Sequence, residues 1–396
     1  MLKAYKYRLY PTPSQTKLLE KHFGCVRLVF NKALALKKES YERNKVKEHD
    51  SESKTLSNLS CYDIKKLLPV WKQELEFLKE VNSLSIQQSI LNLDIAYKKF
   101  FKKKGGYPKF KSRKDNYQSF TIPQNTVPDF ENQKVRIPKF LSGIKSILHR
   151  TFTGTVKSST ISRTPTGKYF ISILVDTTQI SISSDLNSNN DTTNRVFVSN
   201  SNALAFDLGI KTFLVASNGD EIDNPKFLRR SLRKLRRIQI RHSRKVKGSS
   251  NRDKHRRKYL SRIHEKVTNQ RNDFLHKTSK YYVYDTPYIK FIFENLNVKG
   301  MVKNHKLAQS INDASWSKFK SYIDYKSKWN NKEVISIGRF QPSSKQCIIC
   351  KNINTELTLK DRIFICPNPV CNHQEDRDLH AAKNILQFAI AEQLQK

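Results

Sequence analysis

No stretch of the 396 residues approaches the ~18 consecutive apolar side chains that a membrane-spanning helix requires. The first residues, Met1-Leu2-Lys3-Ala4-Tyr5-Lys6, lack the apolar core of a secretory leader. A soluble, cytoplasmic protein with no membrane partner is therefore expected. Cysteine is scarce, six in all, and four of the six fall between 347 and 371. That distribution excludes a disulfide framework for a chain of this length and fits a reducing compartment. Cys25 and Cys61 stand singly in helical patterns and read as core thiols. The largest deficit is negative charge. Thirty-five Asp and Glu oppose 74 Lys and Arg, a net charge of +39. Such an excess exceeds what solubility needs and points to a polyanionic partner, nucleic acid before a membrane surface.

What is present divides into halves. Residues 3 to 9 alternate apolar and charged, the period of a strand. Thr12-Pro13-Ser14-Gln15 is a capping box with proline at the first helical position, and Leu18, Leu19, His22 and Phe23 follow it. Gly24 then reads as a break before a second helix bearing Val26, Val29, Phe30, Ala33, Leu34 and Leu36. A helix-turn-helix and a plain helical hairpin fit this pair equally well. From Asn82 to Phe101 an apolar stripe steps by three and four, the mark of an amphipathic helix. Its end, 102 to 111, mixes lysines with two glycines, Tyr107 and Phe110. There Lys104, Lys109 and Lys111 offer phosphate contacts and Tyr107 and Phe110 offer stacking faces; a solvated basic loop is the plainer reading. Strands are expected at 119–122, 134–137, 156–162 and 169–175, with a turn at Thr164-Pro165-Thr166-Gly167, making a small β-barrel-like module joined to the N-terminal strand. Residues 177 to 202 are rich in Ser, Asn, Thr and Asp and read as a linker.

The second half opens at Ala203 with a buried strand interrupted by Asp207, then a strand at 212–216 and the hairpin turn Ser217-Asn218-Gly219-Asp220. A carboxylate in such a run is unfavourable unless paired or metal-bound, although a strand-ending turn residue is the simple alternative. Glu294 closes an apolar run in the same way, and a third strand spans 332–338. Between them lies the most basic stretch: residues 226–262 hold 17 Lys or Arg and a single acid, Asp253. Two helices around Lys247-Gly248-Ser249-Ser250 fit its spacing. A solvated face is the usual reading of a charge run, but one acid to 17 bases leaves no internal pairing. Candidate backbone contacts are Arg233, Arg236, Arg237, Arg244, Lys245, Lys247 and Arg257. Downstream, Cys347/Cys350 and Cys366/Cys371 form two thiol pairs suited to one closed, structural Zn²⁺ site. An acidic run, Glu375-Asp376-Arg377-Asp378, follows at once. Asp207, Glu294 and a C-terminal Asp can share two Mg²⁺ ions for phosphodiester hydrolysis if their elements are neighbours.

These residues resemble the TnpB (OrfB) family of transposon-encoded RNA-guided DNA nucleases, related to type V CRISPR effectors. The resemblance rests on Tyr5-Lys6-Tyr7-Arg8-Leu9-Tyr10-Pro11-Thr12, Phe23-Gly24-Cys25-Val26-Arg27 and Gly106-Tyr107-Pro108-Lys109-Phe110-Lys111-Ser112. It continues in Asn269-Gln270-Arg271-Asn272-Asp273-Phe274-Leu275-His276-Lys277, Glu294-Asn295-Leu296, Ser310-Ile311-Asn312-Asp313-Ala314 and Pro342-Ser343-Ser344-Lys345-Gln346-Cys347. It implies an α/β multidomain protein: a β-barrel-like wedge module (1–10 and 115–180) carrying a helical recognition insertion (11–114), then a linker (181–202). After these it implies an RNase H-like RuvC nuclease domain (203–339 and 373–396) split by a zinc ribbon (340–372). It assigns the nuclease carboxylates to Asp207, Glu294 and Asp378, the last chosen over Asp376 because it stands two residues before His380. Its implied partners are a guide RNA from the transposon end and double-stranded target DNA beside a short adjacent motif, with one chain per RNA complex. A catalytically silent guided repressor, an accessory transposition factor and a strand-transferring transposase remain competing readings. Two departures stand out. His380 replaces the family's usual Asn, and Cys366 and Cys371 enclose four residues where two are usual, with His373 a substitute ligand for the thiol site.

Overall fold

A computed structural model describes residues 1–47, 59–115, 117–177, 198–199, 201–339, 341–358 and 361–394. The alternating N-terminus becomes β1 (Leu2–Tyr10), and the capping box opens α1 (Pro13–Lys47). In that box the Thr12 amide donates to Gln15 Oε1 and the Gln15 amide donates to Thr12 Oγ1. Where two helices are expected there is one: α1 runs through Gly24 without interruption for 35 residues. Two apolar faces keep it continuous. Leu19, Phe23 and Val26 pack into a core with the β-sheet of this unit, while Cys25, Val29, Phe30, Ala33 and Leu34 pack into a second, helical core. Interior glycine disfavours a helix by only about 1 kcal/mol, and burying one Phe or Leu outweighs that at about 1.5–3 kcal/mol. Both single cysteines are buried in the helical core, as expected of core thiols. The same core takes in α2 (Cys61–Lys66), α3 (Leu68–Glu74) and α4 (Ser83–Phe101), whose Ile86, Ile90 and Leu93 are fully buried.

The sheet of this unit contains β1, β2 (Gln118–Ile122), β3 (Val127–Asp129), β4 (Lys134–Ile137), β5 (Phe140–Ile147), β6 (Thr155–Arg163) and β7 (Tyr169–Asp176). Their order is β2-β6-β7-β1-β5-β4-β3, with every pairing antiparallel. β1 is thus central to the module, and Thr164–Gly167 turns β6 into β7. Among the described residues no ladder joins β2 to β3, so the pairing is that of an open sheet. β3 and β5 escape the sequence pattern for local reasons. β3 is three residues long, and β5 contains Gly143 at φ +72° opposite a register shift in β4.

The chain divides into two units, Met1–Asn190 and Asp191–Lys396. Of the expected linker 181–202, residues 181–197 and 200 lie outside the described residues. Val198 is already buried in the second unit, its amide donating to Gln393 Oε1.

In the second unit β8 (Ala203–Asp207), β9 (Thr212–Ala216) and β10 (Glu221–Asp223) form an antiparallel meander. The expected hairpin turn joins the last two, with Gly219 at φ +95°. The basic stretch gives α5 (Phe227–Ser243) and then α6 (Ser250–His255), which passes through a π turn at Arg256–Leu260 into α7 (Ser261–Lys280). Next come β11 (Lys290–Phe293), α8 (Val298–Met301), α9 (His305–Ala314), α10 (Trp316–Trp329) and β12 (Glu333–Ser336). The chain closes with β13 (Ile363–Ile365), β14 (Gln374–Asp376) and α11 (Arg377–Leu394). The main sheet has the order β10-β9-β8-β11-β12, and β11 is parallel to both β8 and β12. Both faces are covered, which is why β8 and β11 read as unbroken apolar runs. Ala203, Ala205 and Ile292 meet Ile385, Leu386 and Ala389 of α11 on one face. Leu204, Phe206, Phe291 and Phe293 meet Leu275, Phe319 and Ile323 on the other.

Candidate functional site

Parallel pairing aligns Phe206 with Phe293, so the next residues, Asp207 and Glu294, leave the sheet side by side at its carboxyl edge. A sharp turn follows Asp207. A Cβ on Gly209 would come within 2.7 Å of the Thr212 carbonyl oxygen, so only glycine fits there. α11 packs against β8 and presents Asp378 in its first turn. Asp207, Glu294 and Asp378 line one cleft of about 510 Å³, together with Lys345, Thr358 and Arg377. The two neighbouring acids divide their tasks. Asp376 Oδ1 accepts from the amides of Asp378 and Leu379, capping α11, whereas Asp378 faces the cleft. The cleft therefore collects the three carboxylates singled out in the sequence from three separate elements.

Asp207 and Glu294 are in surroundings that disfavour their charged forms. Asp207 is deeply set, and burial, then the charges of Asp378 and Glu294, push its carboxyl up to about 7 despite an opposing pull from Arg377. Burial also raises the Glu294 carboxyl. Two arginines that the sequence reading did not single out flank Asp378: Arg377 Nη2 at 3.4 Å from Oδ1 and Arg362 Nη1 at 3.8 Å from Oδ2. Arg377 also donates to the Thr358 carbonyl at 3.1 Å. Their signal was present in the sequence as a basic residue on each side of β13–β14, but only folding brings Arg362 to Asp378. Beyond Asp207 a second cavity, of about 910 Å³, continues along Lys211, Lys226, Arg229 and Asp313. Asp313 itself is occupied. It accepts from the Leu228 amide and from Arg271 Nη2 at 2.6 Å, fastening α5, α7 and α9 together.

The thiols converge as the spacing predicts. Sγ of Cys347 lies 3.8 Å from that of Cys371, and Sγ of Cys350 lies 3.4 Å from that of Cys366; all four fall within 4.8 Å of one another. A tetrahedron with Zn–S bonds near 2.3 Å has edges of about 3.8 Å. The cluster is compatible with structural zinc, and the four-residue interval between Cys366 and Cys371 does not prevent closure. His373 is not part of this group. Its Nε2 gathers instead with Glu375 and His380.

The basic candidates differ in how free they are. Arg233, Arg236, Arg237, Arg244, Lys247 and Arg257 are exposed on α5 and its continuation, and Lys245 is half-buried. Lys104, Lys109 and Phe110 are exposed, but Lys38 Nζ already sits 4.8 Å over the Phe110 ring. Tyr107 hydrogen-bonds Tyr97 through their hydroxyls at 3.1 Å, and Lys111 Nζ lies 3.9 Å over Phe30. The two aromatics thus have intramolecular partners that nucleic-acid bases would have to displace.

Three family models match the chain: a helix-turn-helix domain of the OrfB type at residues 1–46, a probable transposase domain at 188–305, and a Cas12f1-like TNB domain at 316–385. In the first of these ranges the present chain has one strand and one continuous helix. A Streptomyces pristinaespiralis protein named "Putative RNA-guided DNA endonuclease" is 34% identical over 98% of this chain and 90% of its own length. An Escherichia coli K12 protein named "Putative RNA-guided DNA endonuclease InsQ" is 29% identical over 97% and 92%. Among solved structures, a Cas12f1–sgRNA–target DNA complex covers 98% of both chains at 13% identity with a TM-score of 0.47, too loose a likeness to add weight. The end-to-end match to the Streptomyces protein, with the transposase-domain match across the basic helices, makes this chain a member of the TnpB (OrfB) family.

Proposed function

We propose that this protein is an RNA-guided DNA endonuclease encoded by a transposon, hydrolysing target DNA at the cleft of Asp207, Glu294 and Asp378. The observation that carries the reading is the convergence of these three acids at the carboxyl edge of parallel strands, the usual position of ligands on open α/β sheets. The strand order β10-β9-β8-β11-β12 supports an RNase H-like, RuvC-type domain. Relatives named as RNA-guided DNA endonucleases along nearly the whole chain support the choice of substrate.

The donor set fits Mg²⁺, a hard cation that takes carboxylate oxygens. The three carboxylates line one cleft, where they would share two such ions. When bound, such ions activate water and stabilise the leaving oxygen. Asp207 and Glu294 would hold them on the rigid sheet edge, and Arg377 and Arg362 orient Asp378. Lys211, Lys226 and Arg229 receive the DNA backbone along the adjoining cavity. Arg233, Arg236, Arg237, Arg244, Lys245, Lys247 and Arg257 bind guide or target phosphates. Lys104, Tyr107, Lys109, Phe110 and Lys111 serve the same partners from the first unit. One Zn²⁺ on the four thiols staples the ribbon.

The test is cleavage by protein purified with transposon-end RNA, offered matched DNA beside a library of flanking sequences. Wild type should give hydrolysed 5′-phosphate ends only with Mg²⁺. Asp207→Ala should lose more than about 100-fold, the upper range for losing a group that merely orients a metal ligand. Equal cutting by Asp207→Ala refutes the assignment. Protection without nicking would favour a silent repressor, and joined products a transposase.

A further inference from the structure

We propose that His373, Glu375 and His380 form a second metal site, separate from the four thiols, that takes a first-row divalent ion such as Zn²⁺ through His373 Nε2, Glu375 Oε2 and His380 Nδ1. Each of the three residues offers a ligand atom within 4.8 Å of the other two, and His373 Nε2, Glu375 Oε2 and His380 Nδ1 are each buried without a hydrogen-bond partner. Three unsatisfied polar atoms buried side by side form an unfavourable arrangement that a cation would relieve.

The far ends of Glu375 and His380 are already fixed. Glu375 Oε1 is held by Lys383 Nζ, leaving Oε2 for the site. His380 is completely buried, and its Nε2 faces the Gln346 carbonyl oxygen at 2.8 Å. A carbonyl only accepts, so Nε2 carries the proton and the neutral ring turns the lone pair of Nδ1 toward Glu375. Phe364 stacks on the imidazole at 3.9 Å and 9°, locking its plane. An imidazole whose far nitrogen donates to a backbone carbonyl is the normal support of a metal-bound histidine.

The distances are longer than ordinary hydrogen bonds. His373 Nε2 is 3.7 Å and His380 Nδ1 is 3.5 Å from Glu375 Oε2. Both exceed the 2.7–3.2 Å of N–H···O bonds. They lie close to the ~3.4 Å edge of a tetrahedron with metal–ligand bonds near 2.1 Å. Imidazole nitrogen with one carboxylate suits zinc and its neighbours rather than Mg²⁺. The ligands come from the loop before β14, from β14 itself and from the first turn of α11. A bound ion would therefore tie β14 to the helix that carries Asp378. Both histidines stand out in the sequence, one as a spare thiol-site ligand and one as a departure from the family's Asn. Folding gives them a common purpose.

Equilibrium dialysis of the full-length protein against buffered Zn²⁺, in excess Mg²⁺ that occupies the carboxylate cleft, tests this. Wild type should bind two ions per chain, and His380→Asn and Glu375→Gln one each. In Co²⁺-loaded samples the thiolate-to-metal charge-transfer band should persist in both variants, reporting an intact four-thiol site. One ion per wild-type chain at saturating Zn²⁺ overturns the proposal and leaves a buried Glu–His pair sharing a proton. Retention of two ions by both variants overturns it equally. If both variants lose the charge-transfer band through misfolding, the wild-type stoichiometry decides alone.

Discussion

Asp207 is surrounded by the features that raise a carboxyl: burial and two neighbouring acids. In Mg²⁺-free protein it keeps its proton to about 7, whereas an unfolded Asp loses its proton near 4. Between these values the native state binds the extra proton, so stability falls as pH rises through the window, and the loss is complete above about 7. Asp207→Asn abolishes that loss. Its Tm advantage over wild type, in Mg²⁺-free buffer, should widen from pH 5 to pH 8. Saturating Mg²⁺ should shrink the advantage, because it stabilises only the wild-type carboxylate. A gap independent of pH would show that burial and the two neighbouring acids do not raise the Asp207 carboxyl. The neighbouring Asp376 illustrates how residue type alone misleads. It has the same chemistry two positions away, yet its oxygen is spent on two helix amides.

At the scale of elements, α1 joins the sheet core to the helical core of its unit. The Gly24 backbone is not in the left-handed region, and a Cβ there would meet only the tip of Arg27, at 4.0 Å. Gly24→Ala should therefore raise the local opening free energy by about 0.5–1 kcal/mol, read as slower amide exchange across residues 20–28. A turn at this position would give no gain. The ribbon behaves differently, since its small core consists of Phe364, Leu357 and the thiols themselves. Cys366→Ser should reduce tightly bound zinc by one ion per chain and lower the ribbon's resistance to proteolysis. A variant that keeps full zinc and full resistance would show the thiols to be dispensable.

At the scale of the whole molecule, +39 on 396 residues dominates its behaviour with polyanions. Each phosphate that the protein neutralises releases counterions, so affinity falls with salt at a slope set by the number of such phosphates. Arg233→Ala, Arg236→Ala and Arg237→Ala combined should weaken guide RNA binding and lower the salt slope by about 2, since each phosphate of single-stranded RNA left unneutralised removes ~0.7. An unchanged slope would place the RNA elsewhere. No described helix is long and apolar enough to cross a membrane.

By itself the sequence determined whatever depends on short range. The capping box, the α4 stripe, the β6–β7 and β9–β10 turns and the thiol pairs are each written in a few adjacent residues. So are Asp207 and Glu294, because a carboxylate ending an apolar run is a local anomaly. The apparent break at Gly24 was also local, and there the two cores flanking α1 outweighed glycine's weak preference. Tertiary structure decided what depends on which elements touch. Parallel pairing of β8 with β11 set Asp207 beside Glu294, and packing of α11 on β8 brought Asp378 into their cleft. The return of the ribbon added Arg362. The same packing turned His373 away from the thiols and toward Glu375 and His380. No spacing rule carries that information, because the partners of a buried polar atom are fixed by the helix and strand that bury it.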